Sequence, residues 1–207
     1  MSSLNVRIAL EAALDAMPPI IAASTISTSS AANPTIITTA APHLLTTGLY
    51  VTIAGHTSTP SINGVWPITV TAANKFTIPV AVTVAGTGGT ATAILSPKEN
   101  VNMNPITGVP WQAYSLQFAQ PDNPEMGASY FSQGFIQVDL SYPKGVGVGA
   151  CATRAELIAS TFKRGNTYTH GGTVVSITKT AYIMAGYPTV SEWVIPVRIN
   201  FRAQVPV

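Results

Sequence analysis

Residues 3 to 17 set Leu4, Ile8 and Ala12 on one stripe and Val6, Leu10, Leu14 and Met17 beside it, the spacing of an amphipathic helix. Ser2 or Ser3 supplies its cap, and Pro18-Pro19 ends it. A second helix is predicted from Gly149 to Phe162, where Cys151, Ala155, Ile158 and Phe162 recur at helical spacing opposite Arg154 and Glu156. Gly165 follows as its terminator.

A period of two takes over elsewhere. Ser132 to Tyr142 alternates Ile136, Val138, Leu140 and Tyr142 with Phe135, Gln137, Asp139 and Ser141. Trp193 to Phe201 sets Trp193, Ile195, Val197, Ile199 and Phe201 against Val194, Pro196, Arg198 and Asn200. Each pattern makes a strand with one dry face. Pro196 cannot donate to a ladder, so the last strand is expected at an edge or a bulge. Weaker strands run from Gln112 to Phe118 and from Thr173 to Ile183, the second after a Gly171-Gly172 turn.

Between Ile20 and Pro97 the texture changes. That segment carries one charged residue, Lys75, while the flanks hold the other nine Lys and Arg and all eight Asp and Glu. Short strands are predicted at Thr35–Thr39, Leu49–Ile53, Gly64–Thr71, Lys75–Val84 and Thr90–Ile94, with turns at Asn63-Gly64 and Gly88-Gly89. Trp66, the largest apolar side chain there, is the expected core anchor. The segment thus reads as an insertion of small all-β character, residues 26–96, dividing a discontinuous domain of residues 1–25 and 97–207. The overall class expected is α+β: a mixed or antiparallel sheet with two packed helices, plus the inserted all-β domain.

Composition narrows the function. The chain is 46% hydrophobic and only 9% charged, which suits a surface buried against other subunits. No apolar run reaches the roughly 18 residues of a membrane helix, and the N-terminus lacks the pattern of a secretion signal, so no membrane partner is expected. A lone cysteine, Cys151, forms no internal disulfide, which leaves the cytoplasm as the default compartment. A net charge of +2 with scattered Lys and Arg argues against a tight grip on nucleic acid.

Candidate chemistry is sparse. His43, His56 and His170 stand at no recognisable distance from another ligand or triad residue, and each reads as structural. Cys151 falls on the buried face of its helix as a small hydrophobe. Gly145, Gly147 and Gly149 lead into a helix but match neither a dinucleotide fingerprint nor a P-loop, so they read as a flexible connection. No catalytic residue, metal or cofactor is expected. The segment Gln120 to Gly127 (QPDNPEMG) lies between two strands, and Pro121 and Pro124 make it a protruding loop.

Taken in order, the VRIALEAALDAMP helix, the ENV at Glu99–Val101, the YFSQGFIQVDLSYPKGVGVGACATRAELIASTFKRG run from Tyr130 to Gly165, and the final WVIPVRINFRAQV resemble the tail-terminator proteins of long-tailed bacteriophages. The resemblance implies a structural virion protein of the tail's head-proximal end, assembled in the host cytoplasm as a homo-oligomeric, hexameric ring. Such a ring caps the tail tube, ends its polymerisation and provides the head-joining surface. Its partners would be the tail tube protein and a neck or head-completion protein, with viral DNA passing through without specific binding. On that reading Asp122, Asn123 and Glu125 are the candidate tail-tube contact. The insertion resembles a small β module of phage virion proteins through His43, Gly48, Gly55, Asn63, Gly64, Trp66 and Phe76. Leu45 departs from that pattern, which commonly has Gly after Pro-His. The competing readings are a tail tube or other neck protein, and a protein whose β module binds a surface; an enzyme is not expected.

Overall fold

A computed structural model of the chain describes residues 2–96, 98–99, 106–121 and 129–206. They form two compact units, one of Met1–Pro18 with Ser96–Val207 and the other of Pro19–Leu95.

The unit Pro19–Leu95 is a small β barrel. Its strands are β1 (Ser24–Ser29), β2 (Thr35–Thr39), β3 (Tyr50–Ala54), β4 (Gly64–Pro67), β5 (Thr69–Ala72), β6 (Lys75–Ile78) and β7 (Thr90–Ala93). They follow the order β4-β3-β7-β1-β2-β6-β5, with antiparallel pairs throughout. Closure occurs at Ile68. Its N–H donates to Leu49 O at 3.0 Å and its carbonyl accepts from Gly48 N at 2.9 Å, continuing the β3 ladder; one residue later Thr69 pairs with Thr77 of β6. The run 64–72 therefore leaves one neighbour and joins another, and the sheet's two ends meet.

Chain alternation fills the barrel with Ile26, Ile37, Val51, Ile53, Ile62, Phe76 and Ile78, each at most 1% exposed. Phe76, not Trp66, is the anchor. Trp66 is half-buried and its indole N–H donates to Ile62 O at 2.7 Å. Two further expectations change. Residues 75–84 supply a strand only to Ile78, because Pro79 cannot continue the ladder, and Ser24–Ser29 is a strand that its Ser and Thr content concealed.

The other unit begins with α1 (Ser2–Asp15) and continues with β8 (Trp111–Phe118), β9 (Ser129–Pro143), α2 (Gly149–Thr161), β10 (Thr167–His170), β11 (Thr173–Ile177), β12 (Tyr182–Ile183), β13 (Tyr187–Pro188) and β14 (Glu192–Pro206). The sheet order is β10-β11-β14-β9-β8, with β12 and β13 also paired to β14. Its spine is the β9/β14 pair, in register from Ser129↔Pro206 to Pro143↔Glu192. One face buries Ile136, Val138, Leu140, Val197, Ile199 and Phe201 beneath α1 and α2. Val6, Leu10 and Leu14 come from α1, and Cys151, Ala155 and Ile158 from α2.

The expected α+β class is overturned. Two helices of 14 and 13 residues stand against fourteen strands among the described residues, arranged in two antiparallel sheets, so the chain is mostly β. Period-two alternation extends β9 and β14 to 15 residues each, beyond the runs that the sequence pattern marks, and adds the hairpin strand β10. Helices cover part of one face and do not build a layer of their own.

Local expectations shift as well. Leu4 is 57% exposed and Ala12 is exposed; the buried stripe of α1 is Val6, Ala9, Leu10 and Leu14. Pro196 lies inside the sheet, between β9 and the β12/β13 side, at neither an edge nor a bulge. Its carbonyl accepts from Met184 N at 2.9 Å. In a strand a residue's N–H and C=O point to the same neighbour, so the missing N–H falls in the gap between β12 and β13, and the β9 ladder loses nothing.

Candidate functional site

The most elaborate polar site of the first unit centres on Arg154, placed by sequence pattern on the exposed side of α2 and in fact buried. Its Nε donates to Gln112 Oε1 at 3.0 Å and its Nη1 to Pro18 O at 2.5 Å. Gln112, 1% exposed on β8, donates in turn from Nε2 to Ser96 Oγ at 2.9 Å. Pro18 and Ser96 are the two points where the chain leaves and re-enters this unit. One guanidinium thus ties both crossings together. No carboxylate is among these partners, and burial pushes the Arg154 pKa down, with Tyr142 opposing that shift. The signal was legible in principle: 151, 154, 155 and 158 form one helical stripe.

A second cluster joins α1 to the segment after Ser96. Arg7 pairs with Glu99 and, at 3.7 Å, with Glu11; Lys98 reaches Glu11 at 3.5 Å and Asp15 at 3.7 Å. Tyr114 faces the same carboxylates, and burial first, then Glu11, raises its pKa well above the phenolic range.

Two of the three histidines, His56 and His43, are held by hydrogen bonds inside the barrel unit. His56 Nδ1 lies 2.7 Å from Gly88 O, so it carries the proton; Nε2 then accepts from Ser29 Oγ at 2.9 Å, which itself accepts from Gly86 N at 2.9 Å. Both partners of this buried Ser–His pair are under 5% exposed, which leaves no room for a substrate. His43 Nδ1 accepts from Leu45 N at 3.0 Å, and its ring meets Phe76 edge-on at 5.5 Å. His170 is exposed on β10. The left-handed turn after His43 is made by Leu44, at φ +54° and 79% exposed, and not by Leu45, which is buried.

Cys151 is buried with its thiol toward Leu140 O at 3.9 Å, and burial pushes its pKa up to about 11. A neutral, enclosed thiol is a poor nucleophile. Gly145 and Gly147 take φ of +87° and +84° in the link to α2, whose N-cap Val148 makes no side-chain cap bond. Among the described residues no group of three or more His, Cys, Asp or Glu could hold a metal, and no helix is long and apolar enough to cross a membrane. Asp122, Asn123 and Glu125 lie outside the described residues.

The exposed apolar side chains of this unit include Val146 and Val148 before α2 and Tyr182, Ile183, Tyr187 and Val190 along β12 and β13. Lys144 N donates to Ser191 O at 3.2 Å and Lys144 Nζ to Thr189 O at 3.2 Å, which brings the two segments together.

A family model described as "Phage tail terminator protein" matches residues 80–201. No curated protein matches. One solved structure is 16% identical, with the alignment covering 56% of this chain and 82% of that one at a TM-score of 0.46.

Proposed function

We propose that this chain, which belongs to the phage tail terminator family, assembles as a ring that caps the head-proximal end of the tail tube. Its role is structural and its place is the virion tail; both follow from that membership, and the family match over residues 80–201 is the observation that carries the proposal. The ring is a homo-hexamer. One of its faces binds the tube end in place of the next ring, and the other presents a surface that tube subunits do not recognise and that the neck or head-completion protein does. Ring closure requires each subunit to bury one surface against a different surface of the next. The chain's low charge supports such burial, as do the exposed aromatic and aliphatic side chains along β12, β13 and the Lys144–Val148 link.

The barrel serves as a decorating module of a type found in phage virion proteins. Residues 19–95 form a compact unit of their own, in keeping with an addition to the common subunit. Asp122, Asn123 and Glu125 supply part of the tube contact. Their segment carries Pro121 and Pro124, which limit the entropy lost on docking, and two of the chain's eight acidic residues.

The test is capture of purified tail tubes by the purified chain, followed by negative-stain microscopy. Asp122→Ser with Glu125→Ser should leave rings intact and weaken capture. Equal capture by parent and double variant at every salt concentration would remove these residues from the contact.

A further inference from the structure

Helix α1 is apolar on two sides. Val6, Leu10 and Leu14 pack on the sheet, while Leu4, Ile8 and Ala12, at i, i+4 and i+8, form a second stripe. Leu4 is 57% exposed, Ile8 is half-buried and Ala12 is exposed. Glu11 and Asp15 lie along the same stripe. A helix that covers one core needs one apolar stripe, so the second has no use within the fold. The helix starts beside the Gly171-Gly172 turn, where Asn5 Nδ2 donates to Gly171 O at 3.3 Å and to Thr173 Oγ1 at 3.4 Å.

A second apolar surface lies at the other end of β14. It is a shelf of Tyr182, Ile183, Tyr187 and Val190 joined by Val146 and Val148, with Val190 99% and Tyr182 62% exposed. The bonds from Lys144 N to Ser191 O and from Lys144 Nζ to Thr189 O hold its two segments together. Tyr187 pairs with Val194, whereas Val174 beside the start of α1 pairs with Gln204. Ten residues of β14, about 33 Å at 3.3 Å each, therefore separate the shelf from the start of the helix. Lys144 is exposed and forms no ion pair among the described residues.

We propose that the shelf receives the Leu4–Ile8–Ala12 stripe of a second copy of this chain, with Lys144 facing the carboxylates of that stripe. The inference rests on the proposed ring and names the surfaces that would close it. Exposed apolar surfaces of this kind mark contact sites. The two differ in shape, one a helical ridge and the other a bed of aromatic and aliphatic side chains, which suits a helix laid into a groove. They differ in charge, with Glu11 and Asp15 on the ridge and Lys144 on the shelf, so each repels its own kind and attracts the other. They also stand far apart on one subunit. Unlike patches at separate ends make a head-to-tail contact, the kind that builds rings of more than two subunits.

The experiment compares two variants by native mass spectrometry, alone and mixed. Leu4→Glu with Ala12→Glu spoils the ridge, and Tyr182→Glu with Val190→Glu spoils the shelf; all four positions are exposed, and circular dichroism checks that each variant folds. Each alone should be monomeric, its contact weakened at least ~10-fold. Mixed, they should form a heterodimer and nothing larger, because the ridge variant keeps its shelf and the shelf variant keeps its ridge. A short bismaleimide should link Leu4→Cys chains to Val190→Cys chains, both in a Cys151→Ala background, whether or not rings form. Rings that persist in both variants would overturn the contact and leave the ring reading standing. Self-dimers of the ridge variant would overturn it by making the shelf pair with itself. Normal rings with lost capture of tail tubes would overturn it by giving these surfaces to the tube. A monomeric parent whose cysteine chains do link would support the contact against the ring, and a monomeric parent without linkage would refute both.

Discussion

Arg154→Met probes the claim that one buried guanidinium secures both chain crossings of the discontinuous unit. The variant keeps the stem volume and deletes two bonds from a charged donor, to Gln112 at 3.0 Å and to Pro18 O at 2.5 Å. Such bonds contribute about 1.5–3 kcal/mol each, net of water exchange. Loss of both costs roughly 3–6 kcal/mol, and packing of the Met stem favours the lower half, about 3–4 kcal/mol. At about 2–4 °C per kcal/mol for a chain of this length, the melting temperature of the unit falls by roughly 6–16 °C. Circular dichroism and urea titration read the loss. Gln112→Leu combined with Arg154→Met should cost less than the sum of the two single variants, by about 0.5–3 kcal/mol, because the two side chains share a hydrogen bond. Stability equal to or above the parent in Arg154→Met would refute the reasoning. It would mean that removing a cation with no carboxylate partner outweighs the lost bonds.

Four other outcomes follow from the same geometry. Phe76→Ala, at a site with no exposure, should destabilise the barrel by about 3–5 kcal/mol, and Trp66→Ala by clearly less; the reverse order in thermal melts would restore Trp66 as anchor. Leu44→Gly should stabilise the barrel by about 0.5–1 kcal/mol, since a left-handed Leu costs roughly 1–2 kcal/mol and glycine's chain entropy returns part of that; a loss on melting would contradict the strain. The Cys151 thiol has a reference pKa of 9.0 and a folded value of about 11, so only the unfolded state ionises between them and stability falls as pH rises across that window. Cys151→Ala should flatten that alkaline slope, by up to about 2–3 kcal/mol, while costing ~1 kcal/mol at neutral pH. Because Arg154 and Gln112 link Pro18 to Ser96, a short Gly/Ser linker in place of residues 19–95 should leave the remaining unit folded by circular dichroism; insoluble product would show the barrel to be required.

What the sequence disclosed depended on whether local period decided the outcome. The two helices, the β9 and β14 alternation and the Gly171-Gly172 hairpin are written in side-chain spacing; the helices form close to the expected limits, β9 and β14 run beyond theirs, and the strand expected over Thr173–Ile183 breaks into β11 and β12. The class was misjudged because two short helices weighed as much in the pattern as strands that run on for 15 residues. The sequence pattern sets Arg154 opposite the apolar stripe of α2, yet it is buried with Cys151, Ala155 and Ile158, and its partners, Pro18 and Gln112, lie 136 and 42 residues away. Trp66 misled by size, since a half-open position next to the bend at Pro67 suits a large ring with a polar edge better than the barrel interior does.

The most direct test of the central claim images the purified chain alone and after mixing with tail tubes of its own phage. The account predicts closed rings of six subunits in isolation and, on mixing, a single ring at one end of each tube with no further elongation when tube subunits are added. Monomers that ignore tube ends, or a chain that polymerises into long tubes of its own, would contradict it.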